Sequence, residues 1–424
     1  MIFRPVLILL FSAVCLSAAE EKKLPAPSVP SAQEAIANDP QRYKDLAFFL
    51  RALAIVRENY VDKDKVSDEK LLKAALSGML RQLDEFSTYE DPDRFKAIRE
   101  DTSGQFAGVG MTLSRRGPAV EVISVLDGSP AQKAGLLPGD VLTEINGKQT
   151  AKISFRECIS QLKGKPGTPV TLKVYRKTAD SYRTFSLKRE MIRISSVRGA
   201  KILPDSIGYL ALSGFSLTTE KDLDRALEEF EKKKVKGIIL DLRNNPGGLL
   251  QSAIQICSRF LKKGELVVST EGQTEASKKK FYSVDSGKYL DVPLVLLVNR
   301  GSASAAEILA GCLQDHNRAV LIGTKTFGKG SVQTMIPLPD KGAMRLTTAK
   351  YYTPSRKVIH GNGIVPDIIV PLTPAAEAQL SMQLGSAPGE VVPERKDGVR
   401  DIQLERALEV LKGVNLFLKN KKAE

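Results

Sequence analysis

Three hydrophobic patterns follow one another along this chain, and each predicts a different kind of structure. Apolar residues recur every three or four positions from Leu46 to Tyr60 and again from Leu72 to Leu83, which predicts two amphipathic helices. From about Gly104 the period shortens to two, in runs such as AVEVISVL, DVLTEING and PVTLKVYRK, which predicts short strands separated by turns. We interpret the helical pair as a packing or dimer element and the next segment as a small β-rich domain.

The third pattern begins after about Glu190 and consists of nearly continuous apolar runs. VKGIILDL, PLVLLV and AVLIG are typical of strands that are buried on both faces of a sheet. A predicted helix with Leu250, Ile254, Cys257 and Leu261 on one face follows the first run, and another follows the second. This alternation predicts an α/β layer with a mainly parallel sheet, in which sites lie beyond the carboxyl ends of the strands.

The first residues of the chain differ from all three patterns. Arg4 precedes the mostly apolar run VLILLFSAVCL, which is followed by small residues up to Ala19, and this order is typical of a cleavable secretory signal. The run is too short to span a membrane, which needs about 20 apolar residues. We therefore expect an exported protein, in the periplasm or at the outer face of the cytoplasmic membrane. Residues 20–40 are rich in Pro, Ala, Ser and Lys and predict a flexible leader.

Composition narrows the chemistry further. Cys158, Cys257 and Cys312 lie far apart in helix-like segments and show no zinc-ligand spacing, so we expect free, buried thiols and neither metal nor cofactor. The formal net charge is +14, with basic and acidic residues mixed along the chain. This predicts a solvated surface with some attraction to anionic lipids, and for an exported protein we do not expect a nucleic-acid partner.

Two serines follow the carboxyl end of a predicted buried strand. In VNRGSASAAEILAG, Ser302 and Ser304 follow PLVLLV at the start of a helix that we expect to begin at about Ala303. A serine at a helix start is a preferred N-cap, because its oxygen accepts a hydrogen bond from a free backbone N–H. The same position puts a hydroxyl beside free N–H groups and the positive end of the helix dipole, which favour a developing oxyanion. The pattern alone leaves both interpretations open.

A serine nucleophile needs a base, and the chain has 2 histidines. His316 follows Ser304 by about three helical turns, or roughly 18 Å, along one helix, so we do not expect it to reach. His360 lies in the polar loop RKVIHGNG and stays open. A lysine can act if burial desolvates it, because its free pKa is about 10.4. The run GTKTFGKGSVQ offers Lys325 and Lys329, and the pattern does not decide between them.

Two glycine-containing turns are candidates for binding a ligand through backbone N–H groups. In DLRNNPGG, Gly247 and Gly248 follow a predicted strand and have no Cβ to obstruct a close approach. In FAGVGMTL, a loop opens a strand, so that successive N–H groups can bind a carboxylate while an extended peptide adds beside the strand. Each motif alone is also typical of an ordinary tight turn. The candidate peptide-binding residues are Gly108, Val109, Gly110 and Met111.

The order and wording of these motifs resemble the carboxy-terminal processing, or tail-specific, serine proteases. GVGM with GSPAQKAGLLPGDVLTEINGK resembles their PDZ domain, and LDLRNNPGGLL, VNRGSASAAEILAG, GTKTFGKGSVQ and GIVPDI resemble their protease domain. The resemblance implies Ser304 as nucleophile and Lys329 as base, with Gln333 helping to position the lysine. It implies an oxyanion hole at the backbone N–H of Ala305 and of either Gly247 or Gly248.

The resemblance also implies the fold. We expect an α/β, crotonase-like or ClpP-like protease core with an inserted β-rich PDZ domain and helical N- and C-terminal elements. The predicted regions are a signal peptide at 1–19, a flexible leader at 20–40, a helical region at 41–103, the PDZ domain at 104–188, the serine protease core at 189–380, and a linker with a C-terminal helix at 381–424.

The function implied is that of an exported serine endopeptidase that cleaves envelope proteins whose C-terminal tails the PDZ domain recognises. One alternative is a catalytically silent PDZ chaperone that binds peptides. Another is an acyl-CoA enzyme of the crotonase-like folds, which the PDZ insert and the signal disfavour. The expected partners are proteins with free C-terminal tails, with an adaptor protein as an open alternative. Self-association is expected from one face of the C-terminal helix, formed by Leu404, Ala407, Leu408 and Leu411.

Overall fold

The computed structural model describes residues 40–384 and 400–421. The predicted signal peptide, all but the last residue of the predicted leader, and part of the predicted C-terminal linker lie outside the described residues. The chain divides into two units, Met1–Ser67 and Asp68–Glu424. The predicted helical region at 41–103 is thus shared between the two units, and the PDZ and protease regions belong to one of them.

The described part of the first unit is one long helix and a short turn. Helix α1 spans Pro40–Asn59, and a 3-10 turn spans Lys63–Lys65. The predicted amphipathic helix is therefore present. Its apolar face is exposed at Leu46, Phe49, Leu50, Val56 and Tyr60.

The second unit begins with two helices around a short strand. Helix α2 spans Asp68–Leu83, as the apolar period predicts, strand β1 spans Thr88–Glu90, and helix α3 spans Pro92–Ser103. The Asp91 side chain caps α3 by accepting a hydrogen bond from the Arg94 amide. Gly104 ends α3 in the left-handed conformation and starts the chain toward the β-rich domain.

The β-rich domain is an antiparallel sheet joined to the core through a two-stranded ribbon. The ribbon pairs β2 (Gln105–Gly108) with β9 (Glu190–Arg193). The sheet has the order β3-β4-β5-β7-β8, with β6 beside β5. Its strands and helices are β3 (Met111–Arg116), β4 (Ala119–Val125), α4 (Pro130–Lys133), β5 (Val141–Ile145), β6 (Lys148–Gln149), α5 (Phe155–Leu162), β7 (Pro169–Arg176) and β8 (Ser181–Lys188).

The predicted parallel sheet forms the centre of the protease region. Its order is β10-β11-β12-β15-β16-β19, and every pair is parallel except β10 with β11. The bounds are β10 (Val197–Leu203), β11 (Ile207–Leu212), β12 (Gly237–Asp241), β15 (Leu294–Val298), β16 (Val320–Gly323) and β19 (Ile368–Ile369).

Three helices cover one face of this sheet. They are α6 (Thr219–Lys232), α7 (Leu250–Ser258) and α8 (Ala305–Asp315), and their apolar side chains share one core with alternate residues of the strands. Leu294, Leu296 and Val298 of β15 point to this core. Helix α7 ends earlier than its apolar pattern predicts, so Leu261 is buried from the turn that follows the helix.

Helix α10 (Ile402–Lys421) packs on the opposite face of the sheet. Ala407 and Leu411 are buried there with the other residues of β15, and Leu404 and Leu408 pack against the same cluster. The apolar face that suggested self-association is therefore covered by the chain's own sheet, because a parallel sheet has two apolar faces to bury. Self-association stays a prediction without this support.

A second, antiparallel sheet lies beside the core, and the sequence patterns did not predict it. Its order is β1-β18-β13-β14, and β17 also pairs with β18, along residues 343–350. The new strands are β13 (Leu266–Glu271), β14 (Lys279–Tyr282), β17 (Ser331–Pro337) and β18 (Ala343–Tyr352). Helix α9 spans Pro374–Leu384, and further 3-10 turns span Thr150–Lys152, Lys177–Ala179, Pro204–Ser206 and Glu275–Ser277. No helix in the described ranges has the length and apolar character needed to cross a membrane.

Candidate active site

The two serines that follow strand β15 have different surroundings. Ser302 is fully buried; its hydroxyl donates to the Leu242 carbonyl at 2.7 Å and accepts from the Asn299 amide at 3.0 Å. It therefore ties the ends of two neighbouring parallel strands together. Ser304 is only half-buried and lies directly before α8. The position predicted for the nucleophile is thus the more accessible of the two.

Ser304 has an unusual backbone. Its φ is 55° and its ψ is −114°, a conformation that L-residues rarely adopt and that stores about 1–3 kcal/mol of strain. Such strain persists only where the surroundings fix the chain. Here the Ser304 amide donates to the Glu307 carboxylate at 2.9 Å, and the Ser304 carbonyl accepts from the Ile308 amide at 3.0 Å. The strained turn lies where the carboxyl ends of the parallel strands meet.

The glycine turn after β12 packs directly against this serine. A Cβ on Gly247 would lie 2.8 Å from the Ser304 Cβ and 2.9 Å from the Ala305 nitrogen, so only glycine fits there. The Gly247 amide donates to the Asn245 side chain at 2.9 Å. Within the described ranges the amides of Gly248 and Ala305 donate to no protein group. The two amides that remain available for an oxyanion are therefore those of Ala305 and Gly248.

Lys329 approaches the site from the loop between β16 and β17. Its side chain is half-buried, and its ammonium lies 4.8 Å from the centroid of the Phe86 ring. Burial lowers the pKa of Lys329, and the nearby Arg345 guanidinium lowers it further. Asp84 and Glu85 act in the opposite direction. The lysine therefore loses its proton more easily than a free lysine does.

Glu307 links the serine and the lysine, and our sequence analysis missed it. Its carboxylate is completely buried and accepts hydrogen bonds from four donors: the amides of Ser304, Gly328 and Lys329 and the Thr326 hydroxyl. Burial raises the pKa of this carboxyl, and the four donors oppose that rise. A signal was available, because Ser304 and Glu307 have the S-x-x-E spacing of a capping box.

Gln333 lies on β17, and among the described residues its side chain makes no hydrogen bond to Lys329. Its side-chain amide donates to the Ser331 hydroxyl at 2.8 Å and to the Thr347 hydroxyl at 3.4 Å. Thr347 also donates its own amide to the Ser87 hydroxyl at 3.1 Å, next to Phe86. Gln333 therefore belongs to the network that holds the Phe86 segment in place.

The other candidate bases occupy three different environments. His316 ends α8 far from Ser304, where its Nε2 bonds the Leu266 carbonyl at 2.8 Å. Lys325 is exposed. His360 lies closer to the site, with its ring 6.4 Å from the Phe86 ring in an edge-on arrangement. The geometry thus separates His316 from the serine and leaves His360 within the neighbourhood of Lys329.

A buried ion pair supports the turn that carries the glycines, and this too was missed. The Arg243 guanidinium bonds both carboxylate oxygens of Asp241, and it also bonds Asp401 and Gln403 at the start of α10. The Tyr209 hydroxyl donates to the same Asp241 carboxylate at 2.9 Å. Helix α10 is therefore joined by charge, as well as by apolar packing, to the segment that ends in Gly247 and Gly248.

A cavity of about 260 Å³ opens beside these glycines. Phe106 lies in the ribbon that leads into the β-rich domain and Ile194 directly follows it, while Phe215 and Ser216 come from the core. The end of α3 contributes Asp101. The cavity is thus shared between the turn that carries Gly247 and Gly248 and the connection to the β-rich domain.

The predicted carboxylate loop lies at the edge of the β-rich sheet. Strand β3 pairs with β4 alone, so its other edge is open in the described part of the chain. The carbonyls of Val109 and Gly110 accept from the Ala131 and Leu126 amides, which fixes the loop. The amides of Val109 and Gly110 donate to no protein group among the residues described. Gly108 ends β2 and Met111 begins β3, so the four predicted residues form one turn.

Comparisons with known proteins identify both regions. The profile of Peptidase family S41 matches residues 206–370, and that of the PDZ domain matches residues 121–176. The chain is 40% identical over 398 residues to the carboxy-terminal-processing protease of Bartonella bacilliformis, covering 89% of this chain and 90% of that protein. It is 38% identical over 319 residues to a "Probable CtpA-like serine protease" of Staphylococcus aureus, covering 74% of this chain and 63% of that one. The solved photosystem II D1 C-terminal processing protease is 29% identical, with a TM-score of 0.43 and coverage of 76% and 92%.

Proposed function

The chain belongs to the carboxy-terminal-processing serine proteases of peptidase family S41, and on that premise we propose that it hydrolyses exported proteins with a Ser304–Lys329 dyad. One observation carries the assignment of the dyad. The buried Glu307 carboxylate bonds the Ser304 amide and the Lys329 amide at the same time, and so holds the two segments together. A shared buried acceptor is a strong restraint, because leaving any of its donors unpaired is costly.

In the proposed reaction, Lys329 enters as the neutral amine and takes the proton of the Ser304 hydroxyl. The Ser304 oxygen attacks the carbonyl carbon of the scissile peptide, and the resulting ammonium returns its proton to the leaving amine. Water then attacks the acyl carbon while Lys329 accepts its proton; the ester bond to Ser304 breaks, and Lys329 returns that proton to the Ser304 oxygen as the second product leaves. The lowered pKa of Lys329, caused first by burial, supports this role because it increases the neutral fraction near physiological pH.

The oxyanion of the tetrahedral intermediate would be bound by the amides of Ala305 and Gly248. Both amides lack a protein acceptor within the described ranges, whereas the Gly247 amide is used by Asn245. Ala305 is also the first residue of α8, where the positive end of the helix dipole adds to the field. Donors fixed in advance in this way are worth about 10²–10³ in rate each.

The PDZ domain selects substrates by their C-termini. In our proposal, a terminal carboxylate binds the Val109 and Gly110 amides, and the preceding residues add as a strand along the open edge of β3. The cavity beside Gly248 receives a substrate side chain close to the scissile bond. Because Phe106 lines this cavity and belongs to the ribbon that leads into the PDZ domain, tail binding and cleavage occur on connected segments.

We place the protein outside the cytoplasmic membrane, with envelope proteins as its substrates. The support is the sequence of the first residues, from Arg4 to Ala19, which has the order of a cleavable secretory signal. N-terminal sequencing of protein from cell fractions tests this: we expect a mature chain beginning near Glu20 in the exported fraction. Cytoplasmic protein that retains Met1 would contradict it.

The decisive experiment for the dyad compares two lysines of one loop. Lys329→Arg keeps the positive charge but cannot accept a proton, because the guanidinium pKa exceeds about 12. We expect it to fold normally and to lose nearly all cleavage of an unstructured peptide, as Ser304→Ala does. Lys325→Arg is the matched control and should retain most activity, as should His316→Ala. An active Lys329→Arg together with an inactive His360→Ala would replace the lysine by a histidine base.

A further inference from the structure

The contact between Lys329 and Phe86 is not explained by the reaction alone. The Lys329 ammonium lies 4.8 Å from the centre of the Phe86 ring. Within the described ranges, its Nζ donates no hydrogen bond, so the ring face is its principal partner. The backbone of Lys329 is fixed separately, since its amide donates to Glu307 at 2.8 Å. The side chain can therefore leave the ring without moving the loop.

The ring itself is held rigidly. The Asp84 carboxylate accepts from the amides of Phe86 and Ser87, each at 2.7 Å, and from the Ser87 hydroxyl at 2.9 Å. The same hydroxyl accepts from the Thr347 amide, which ties this turn to β18, 260 residues further along the chain. A half-buried aromatic ring on such a turn presents a fixed face to the lysine.

The face of an aromatic ring distinguishes the two protonation states of an amine. Its quadrupole attracts an ammonium ion, while a neutral amine gains little from the same position. Phe86 therefore stabilises Lys329 with its proton, and the neutral base forms more readily when the side chain leaves the ring. This effect opposes burial and the positive charge of Arg345, and it acts in the same direction as the carboxylates of Asp84 and Glu85.

We propose that the ring of Phe86 binds the protonated Lys329 side chain through a cation–π contact, and that this contact sets the pH at which Lys329 becomes neutral and can act as a base. Phe86 is then a positioning residue, because it acts on the reaction only through the lysine. This inference rests on the proposed role of Lys329 as base. The other ionisable groups that face the site are His360, edge-on to the same ring, and the Glu307 carboxylate below the lysine backbone.

The first test is the pH profile of kcat/KM for an unstructured peptide. Removing the ring by Phe86→Leu should move the acid limb to lower pH by about 0.4 to 1.5, the range that corresponds to ordinary cation–π attraction. Phe86→Tyr keeps a ring and should restore the wild-type limb. Phe327→Leu is the matched control, because Phe327 is exposed in the same loop and has no ring contact with the lysine. Its acid limb should stay in place, whatever its effect on the rate.

The second test measures the protonation of Lys329 in a protein that cannot carry out the reaction. In a Ser304→Ala background, NMR titration of ¹³C-labelled lysine side chains follows Lys329 directly, with the signal identified by its absence from Lys329→Arg. We expect Phe86→Leu to lower the titration midpoint by the same amount as it moves the acid limb. An unchanged midpoint would show that the Phe86 ring does not stabilise the protonated lysine. If Phe86→Leu lowers the titration midpoint of Lys329 but leaves the acid limb of kcat/KM in place, the cation–π contact is supported and the role of Lys329 as base is contradicted. If Phe86→Leu does not fold, Phe86→Met, which also lacks a ring, gives the same measurement.

Discussion

The protease core and the PDZ domain each contain a six-stranded sheet, but different kinds of chemical group face the ligand in the two domains. The core sheet is mostly parallel and covered on both faces, so its site lies at the strand ends, where side chains converge. The PDZ sheet is antiparallel with an open edge at β3, so the site that we propose there consists of backbone amides. Reaction chemistry needs side chains held by buried polar networks, whereas recognition of a chain terminus needs only a fixed backbone.

Each domain also contains a buried arginine that is paired with carboxylates, and the two arginines join segments that lie at different distances along the chain. In the PDZ domain Arg176 bonds Asp140, 36 residues away. In the core Arg243 bonds Asp241 in its own turn and also Asp401, 158 residues away, next to the turn that carries Gly247 and Gly248. The first arginine joins parts of one domain, and the second joins this turn to the start of a distant helix.

The largest effect is expected from removing these arginines in turn. Breaking a buried ion pair typically costs about 3–5 kcal/mol, because a buried carboxylate is left unpaired. Arg243→Met should therefore lower stability to denaturant by about that amount and also reduce cleavage of a short, untailed peptide. Arg176→Met should lower stability while leaving that cleavage close to wild type. Arg400→Met, which removes an exposed pair with Glu405, should change stability by at most about 1 kcal/mol. Equal activity losses for Arg243→Met and Arg176→Met would contradict the proposal that only the core arginine supports cleavage.

Substitution of Glu307 should give the next largest effect and reduce catalysis as well as stability. Glu307→Gln places an NH2 group against two of the four donors. These are either the Ser304 and Lys329 amides or the Thr326 hydroxyl and the Gly328 amide, so at least one segment around the serine and the lysine loses its acceptor. We expect kcat to fall by at least about 100-fold, or about 2.7 kcal/mol. Thr326→Val removes one donor only and should reduce kcat less. Near wild-type kcat in Glu307→Gln would show that the shared carboxylate does not position the dyad.

A smaller effect is expected when the substrate terminus is changed instead of the protein. Amidating the C-terminus of a peptide removes the charge that the Val109 and Gly110 amides would bind. A charge-assisted hydrogen bond is worth about 1.5–3 kcal/mol, so binding to the Ser304→Ala protein should weaken about 10- to 150-fold. Calorimetric titration with matched acid and amide peptides measures this. Equal affinities would reject the loop as a carboxylate site.

The smallest effect tests how the loop is supported. Ser129 caps α4 by accepting from the Gln132 amide, and its hydroxyl also donates to the Gly110 carbonyl at 3.2 Å. Ser129→Ala should cost about 1 kcal/mol of stability and weaken peptide binding. Ser154→Ala removes the equivalent cap of α5, away from the loop, and should lower stability without changing the peptide affinity. A similar loss of affinity in both variants would assign the effect to general destabilisation.

The sequence predicted the elements of both domains well where the signal is local. PLVLLV is strand β15, and the helix after Ser304 begins at Ala305, because continuous apolar runs and helical periods are properties of neighbouring residues. The antiparallel sheet of β1, β13, β14, β17 and β18 was not predicted. Its pairs join residues far apart, such as Thr88 with Arg345, and no short window contains both partners.

For the proposed site, the sequence supplied residue types and not contacts. The resemblance implied Ser304, Lys329 and either Gly247 or Gly248, and it left the choice of glycine open. Our proposal of Gly248 depends on which amide is already used, because the Asn245 side chain accepts from the Gly247 amide, and sequence spacing does not reveal that bond. Phe86 could not have been found by pattern, because its contact with Lys329 depends on long-range pairings, such as those of β1 and β17 with β18.

The bond between Arg243 and Asp401 also has a consequence for the timing of synthesis. A ribosome adds about 5–20 residues per second, so about 8 to 30 seconds separate the two residues on a growing chain. During that interval Arg243 lacks its partner on α10, and one face of the parallel sheet lacks its cover. All residues of the PDZ domain precede Arg243 in the chain, whereas the turn that carries Gly247 and Gly248 lacks this support until Asp401 is available. We therefore expect the PDZ domain to be able to fold before the proposed active site is complete.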